Sequence, residues 1–163
     1  MNLTNIVLIG FMGSGKSTLS KTLYQQSKRL ILDSDNIIQN NENLSINEIF
    51  ATKGEQYFRN LEKEFCQFCS LNIQNCIIAT GGGMPSVCDV KTMGKVFYLE
   101  LEFEELLKRL NPQELAKRPL FSDTNKAYKL YLERKDIYTK SAHITLDATK
   151  SLANLSKTIL SSL

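Results

Sequence analysis

Three prolines and eight glycines in 163 residues are too few for a collagen-like or low-complexity chain. With 42% hydrophobic and 23% charged residues, the composition is that of a folding globular protein and not of a disordered one. No apolar run approaches the roughly 18 residues that a membrane span requires. The run that follows Met1–Asn5 ends at Ile9, so neither a signal peptide nor an anchor is expected. A large excess of one charge is also lacking. The 20 Lys and Arg against 17 Asp and Glu leave +3, far from the surplus with which proteins grip nucleic acid. A small anionic ligand suits this balance better. The four cysteines, Cys66, Cys69, Cys76 and Cys88, lie close together among apolar residues, which argues against a disulfide framework and for a reducing cytoplasm. Cys66 and Cys69 form a C-x-x-C without a second pair or a nearby histidine to complete a zinc site. His143, the one histidine, has no nucleophile to pair with and is read as structural. The length fits one domain, 1–163.

Apolar runs of strand length recur at Ile6–Ile9, Leu30–Leu32, Ile77–Ala79, Val96–Leu101 and Ile144–Leu146, with helical spacing between them. Strands that alternate with helices predict an α/β fold with a parallel sheet covered on both faces. One helical stripe runs through Phe58, Leu61, Phe65 and Phe68, another through Phe103, Leu106, Leu107 and Leu110, and a last through Leu152, Leu155 and Ile159. Between Asn111 and Asn125 the chain has two prolines and mixed charge and reads as a mobile connection, the best candidate for a lid.

Gly10-Phe11-Met12-Gly13-Ser14-Gly15-Lys16-Ser17 matches G-x-x-x-x-G-K-[ST], directly after the first apolar run and before a helical segment. The backbone N–H groups of Gly13, Ser14 and Gly15 can converge there on phosphate oxygens, aided by the positive end of the following helix. Lys16 would reach the β- and γ-phosphates, Ser17 would ligate Mg²⁺, and Thr18 stands next for an α-phosphate contact. A GTPase switch would carry N-K-x-D, which is absent; a motor or assembly ATPase needs a longer chain and a second acidic motif on a buried strand. A small-molecule kinase remains.

Leu30-Ile31-Leu32-Asp33-Ser34-Asp35 ends an apolar run in two carboxylates, on the sheet edge that the phosphate loop also occupies. Asp33 fits a metal-supporting role and Asp35 a base that accepts a hydroxyl proton. The competing reading makes one of them the N-cap of the next helix. Arg59 stands four residues after Glu55 and three before Glu62, which by itself predicts surface ion pairs. Arg134 falls on the inward stripe Ala127, Leu130, Tyr131, Arg134, Tyr138, where a cation needs an anion opposite, either an internal carboxylate or a ligand.

Taken together, the phosphate loop, Asp33-Ser34-Asp35, Gly54-Glu55-Gln56-Tyr57-Phe58-Arg59-Asn60-Leu61-Glu62, Thr80-Gly81-Gly82-Gly83, Arg118-Pro119-Leu120 and Arg134-Lys135-Asp136-Ile137-Tyr138 resemble the shikimate kinases over the whole chain. The resemblance implies a three-layer P-loop kinase fold related to the nucleoside monophosphate kinases. Its parallel sheet has five strands in the order 2-3-1-4-5, with a substrate-binding segment at about 33–61 and a lid at about 111–123. It implies transfer of the ATP γ-phosphate to the 3-hydroxyl of shikimate, with one Mg²⁺ per subunit, by a cytoplasmic monomer. It assigns Arg59 and Arg134 to the substrate carboxylate, Gly81 and Gly82 to substrate hydroxyls through their backbone N–H groups, and Asp35 to the reacting hydroxyl. Arg118 is implied to close onto the phosphates, with Lys117 as its rival. Arg109 is implied to stack on adenine, against a plain solvated-helix reading. After Asp147 the family often has an arginine where Ala148-Thr149-Lys150-Ser151 offers only a lysine. Two other readings stand beside this one: a kinase for another polyol acid such as gluconate, and a catalytically silent nucleotide-binding regulator.

Overall fold

A computed structural model describes residues 3–110 and 123–163. Its five strands are β1 (Ile6–Ile9), β2 (Ile31–Asp33), β3 (Ile77–Ala79), β4 (Lys95–Glu100) and β5 (Ile144–Asp147). They form one parallel sheet in the order β2-β3-β1-β4-β5, as the resemblance implied. All four residues of β1 are fully buried, as expected of a strand in the middle of a covered parallel sheet. From β1 the chain moves toward one edge, and from β3 it crosses to the other half. The carboxyl ends of β1 and β3 therefore flank a crevice, where open α/β sheets bind ligands.

The helices are α1 (Lys16–Ser27), α2 (Ser34–Glu42), α3 (Ile46–Lys53), α4 (Glu55–Asn72), α5 (Phe103–Arg109), α6 (Thr124–Ser141) and α7 (Leu152–Ser161). Helices α1 and α7 pack together beside the sheet, while α4 and α6 pack against the two 3₁₀ turns that follow β3. Two hydrophobic clusters result. The larger surrounds the sheet, and the smaller joins Ile38, Ile49 and Phe58 from α2, α3 and α4. A reciprocal cap starts α3: Ser45 Oγ accepts from the Glu48 N–H while the Glu48 carboxylate accepts from the Ser45 N–H.

Two stripe residues expected inside lie outside. Phe68 is 56% exposed, because Phe58, Leu61, Phe65, Phe68 advances by three, four and three and falls about 80° behind the 100° per residue of a helix. Phe58, Glu62, Phe65 and Cys69 keep pace with it and form the buried face, with Cys66 beside them. Leu152 is 38% exposed because the first turn of α7 borders the crevice. All four cysteines are free thiols, and Cys66 and Cys69 belong to the core. His143 is structural: its Nδ1 accepts from the Val96 N–H at 2.9 Å at the start of β4. Among the described residues no helix is long and apolar enough to cross a membrane.

At the amino end of the sheet, buried Asn5 donates through Nδ2 to the Ile73 and Met93 carbonyls and accepts from the Cys76 N–H, at 2.7, 2.8 and 2.9 Å. It thereby ties together the segments that lead into β3 and β4. Asn5→Ala strands these groups and should lower unfolding free energy by about 2–4 kcal/mol. Urea denaturation checks this, and a loss below about 0.5 kcal/mol, the size of an ordinary surface change, would contradict it.

Candidate active site

The loop Gly10–Ser17 leaves β1 and turns through Gly13 (φ 83°) and Gly15 (φ 100°) into α1. The Lys16 ammonium donates to the Gly10 and Phe11 carbonyls at 2.6 and 3.1 Å, bracing the loop from within. The buried Ser14 hydroxyl oxygen has no hydrogen-bond partner among the described residues, a polar atom left unsatisfied there. Above the loop lies a cleft of about 1520 Å³, bordered by Lys16, Ser17, Asp33, Asp35, Gly82 and Arg109. That exceeds the roughly 300–1,000 Å³ of a pocket for one small ligand and leaves room for two.

Arg109, at the end of α5, is exposed but anchored. It donates to the Ala148 carbonyl at 2.6 Å and to the Ser14 carbonyl at 3.4 Å, bridging the phosphate loop and the turn after β5. Asp147 folds back on that turn and accepts from the N–H and hydroxyl of Thr149, whose hydrogen bonds hold its carboxyl below the usual range. Lys150 reaches the cleft wall nearby. Arg118, Lys117 and all of the expected lid except Asp123 lie outside the described residues; Asp123 is the N-cap of α6.

The two aspartates diverge because the helix begins between them. Asp33 ends β2 and caps α2, accepting from the Asn36 N–H at 3.0 Å, so the capping reading holds for it while it still faces the cleft. Asp35 is in the first turn of α2, with Oδ1 buried and without a hydrogen-bond partner among the described residues. Burial raises its pKa, reinforced by the Asp33 carboxylate and opposed by Lys16, by the Ser34 hydrogen bond and by Arg59.

Behind Asp35 the run Gly81-Gly82-Gly83 forms a bare floor. The Gly81 N–H donates to the buried Ser34 hydroxyl at 2.8 Å, so the expected contact from that N–H to a substrate hydroxyl is already committed within the protein. What matters at Gly81 is the missing side chain: a Cβ there would stand 2.3 Å from Asp35 Oδ1. A Cβ on Gly83 would overlap the Arg59 guanidinium, 2.9 Å from its central carbon. Over Gly82 lie Arg134 and the hydroxyl of Tyr138, which donates to the Gly82 carbonyl at 2.6 Å. Three functional side chains thus rest on three consecutive glycines. Ser34 and Tyr138 were not legible as site residues, since each acts through a backbone group distant in sequence.

Both expected arginines are beside this floor and outside the cleft lining itself. Arg59 NH1 pairs with Glu62 at 2.6 Å, and its Nε and NH2 point to one oxygen of Glu55 at 3.2 and 2.9 Å. Both ion pairs suggested by the spacing therefore form. They differ in kind, because the Glu62 side chain is 1% exposed and that of Glu55 65%. Burial raises the pKa of Glu62 while the Arg59 ion pair pulls it back, and its second oxygen, Oε1, is buried without a partner among the described residues. The Arg134 guanidinium stands over the Phe11 ring at 5.9 Å. The site thus offers hard oxygen donors and a phosphate loop at one end, two arginines at the other, and an unpartnered carboxylate oxygen between.

The family model described as Shikimate kinase matches residues 12–163. The curated Shikimate kinase of Helicobacter hepaticus is 47% identical over 156 residues, covering 96% of this chain and 93% of the relative. Among solved structures, shikimate kinase from Acinetobacter baumannii in complex with shikimate superposes with a TM-score of 0.85 at 30% identity, covering 98% of this chain and 92% of that one. A gluconokinase from Sinorhizobium meliloti shares the fold alone, with a TM-score of 0.55 and 12% identity over 99% of this chain and 92% of that one.

Proposed function

The chain belongs to the shikimate kinase family, and from that premise we propose how its residues transfer the ATP γ-phosphoryl group to the 3-hydroxyl of shikimate. It is an enzyme, and its reaction is ATP-dependent phosphorylation of shikimate, a step toward the aromatic amino acids. The observation that best supports the residue assignments is the unpartnered Asp35 oxygen between the phosphate loop and the arginine pair.

Gly13, Ser14, Gly15 and Thr18 hold the phosphates, with the Lys16 ammonium moving from the loop carbonyls to phosphate oxygen. Arg109 borders the adenine end and presents its guanidinium plane there, and Arg118 joins the phosphates by the family resemblance alone. Arg59 and Arg134 receive the substrate carboxylate, while Gly82 supports a substrate hydroxyl and Gly81 holds clear the space that Asp35 fills. Asp35 then orients the 3-hydroxyl and accepts its proton as the oxygen attacks phosphorus. Its buried surroundings make a carboxylate a better proton acceptor than it is in water. The main rate enhancement comes from placing the two substrates in line and excluding water, the competing acceptor.

Ser17 and Asp33 are both hard oxygen donors on the cleft wall, a set that fits Mg²⁺. When bound, that ion would neutralise charge on the β- and γ-phosphate oxygens. Ser17→Ala should raise the Mg²⁺ concentration for half-maximal rate about tenfold, in line with one lost ligand in a weak site. An unchanged Mg²⁺ dependence removes Ser17 from that role. The reading further takes 1–163 as one catalytic domain working as a cytoplasmic monomer, which the free cysteines support.

Coupled ADP release with shikimate, gluconate and nucleoside monophosphates in turn tests the substrate. Release that depends on shikimate is expected. Release with gluconate or a nucleotide instead, or with none of them, supports the alternative kinase or the silent regulator.

A further inference from the structure

We propose that Glu55 is a placeholder for the substrate carboxylate, a displaceable anion that occupies the Arg59 fork in the empty site and sets the affinity for acidic substrate. The inference rests on the assignment of Arg59 to that carboxylate. A guanidinium has five N–H donors in one plane and grips a carboxylate best through two neighbouring donors. In Arg59 the Nε and NH2 pair is closed by Glu55 Oε1, and NH1 is held by Glu62 Oε2 at 2.6 Å. The guanidinium also lies close to Gly83, and its central carbon is 5.9 and 5.6 Å from the ring centres of Phe50 and Phe58.

An incoming anion therefore meets a cation already neutralised twice over, with the Asp35 carboxylate close by. For that anion to take the Nε–NH2 fork, a glutamate has to give way, and the surroundings of the two decide which. Releasing Glu62 would leave a carboxylate with 1% side-chain exposure unpaired inside the protein. Glu55, at 65%, can swing into water from a pair of the exposed i,i+4 type, the weakest class of ion pair. Glu62 is thus the permanent brace that keeps Arg59 aimed, and Glu55 is the exchangeable partner. Its place in the first turn of α4, one helical turn before Arg59, keeps it within reach when the substrate departs.

The test compares KM for shikimate and for shikimate methyl ester, which lacks the anion, in the full-length protein and in Glu55→Gln, Glu64→Gln and Arg59→Lys. Glu64 is an exposed residue further along α4, so its variant removes the same charge away from the fork. For Glu55→Gln, KM for shikimate should fall three- to tenfold, with KM for the ester and for ATP unchanged and kcat within twofold. Glu64→Gln should change none of these. An unchanged or higher KM for shikimate in Glu55→Gln overturns the proposal, as does an equal gain for the ester or for ATP, or the same gain in Glu64→Gln. Arg59→Lys loses the fork and should reduce the preference for acid over ester about tenfold, with Arg134 and the lysine charge supplying what remains. If the preference is undiminished, the carboxylate assignment of Arg59 fails, and the placeholder role fails with it.

Discussion

Replacing Asp35 by asparagine should lower kcat by about 10²–10⁴-fold, leave ATP binding nearly unchanged, and not lower the melting temperature. The three readouts belong together. Asparagine keeps the shape of the side chain in the first turn of α2 but cannot take a proton, so the chemical step is lost while the phosphate loop is untouched. Stability follows from linkage. Burial and the Asp33 carboxylate raise the pKa of Asp35 in the folded state, so between the ordinary carboxylate value and that raised value the folded protein holds a proton that the unfolded chain has released. Stability therefore declines as pH rises through that interval, and above it the charge of Asp35 is a net burden on the fold. Removing its charge relieves this. The same shift places the acid limb of the kcat/KM profile above the pH at which a solvent-exposed aspartate titrates. Equilibrium nucleotide binding, thermal unfolding and a pH–rate profile check the set. An Asp35→Asn enzyme with wild-type turnover, or one inactive only because it unfolds, refutes the assignment.

A second large effect is expected from a single methyl group. Gly81→Ala places a Cβ 2.3 Å from Asp35 Oδ1, 3.2 Å from its Cγ and 3.3 Å from Glu62 Oε1. The methyl cannot move, since it sits on backbone at the end of β3, so the carboxylate has to swing away by about an ångström. Misplacement of that size costs about 10²-fold in rate. Gly81 is not among the glycines with positive φ, so alanine meets no backbone strain there and the fold should survive. The expected signature is thus a hundredfold lower kcat in a protein whose circular dichroism and nucleotide affinity are those of the parent. Gly82→Ala, where the nearest atoms are 3.3 Å and more away, should be milder. If Gly81→Ala stays within threefold of the parent, the close approach of Asp35 to that floor has no catalytic weight.

How much of this was readable in the residues depends on range. The phosphate loop is contiguous, and eight adjacent residues carry both its geometry and its chemistry, so position and role could be read together. The strand pattern likewise located all five strands, because β-length apolar runs are local signals. The buried face of α4 was read with the wrong period, and Phe68 was mistaken for Cys69 as its continuation. The glycine floor was legible as a place but not as a device. Its N–H groups looked like ligands, whereas Gly81 donates to Ser34, 47 residues earlier, and Gly82 accepts from Tyr138, 56 residues later. Arg109 looked like helix surface or an adenine platform, and its bond to Ala148, 39 residues away, cannot be seen from either end alone. What stays hidden is pairing across the sheet edge, which only the assembled fold decides.

The small cluster of Ile38, Ile49 and Phe58 has a bearing on how such a molecule diversifies. Because its apolar residues are separate from those around the sheet, substitutions between Ser34 and Asn60 can be made good among a handful of neighbours without repacking the strands. Among the described residues α4 belongs to both clusters, through Phe58 in one and Phe65, Cys66 and Cys69 in the other, and α2 reaches both through Ile38 and Ile37. The acceptor-recognition half is in this sense a replaceable cartridge beside the phosphate-binding sheet. A library confined to α2, α3 and the first turns of α4, with Ser34 and Asp35 kept, should leave ATP affinity nearly constant while the accepted alcohol changes.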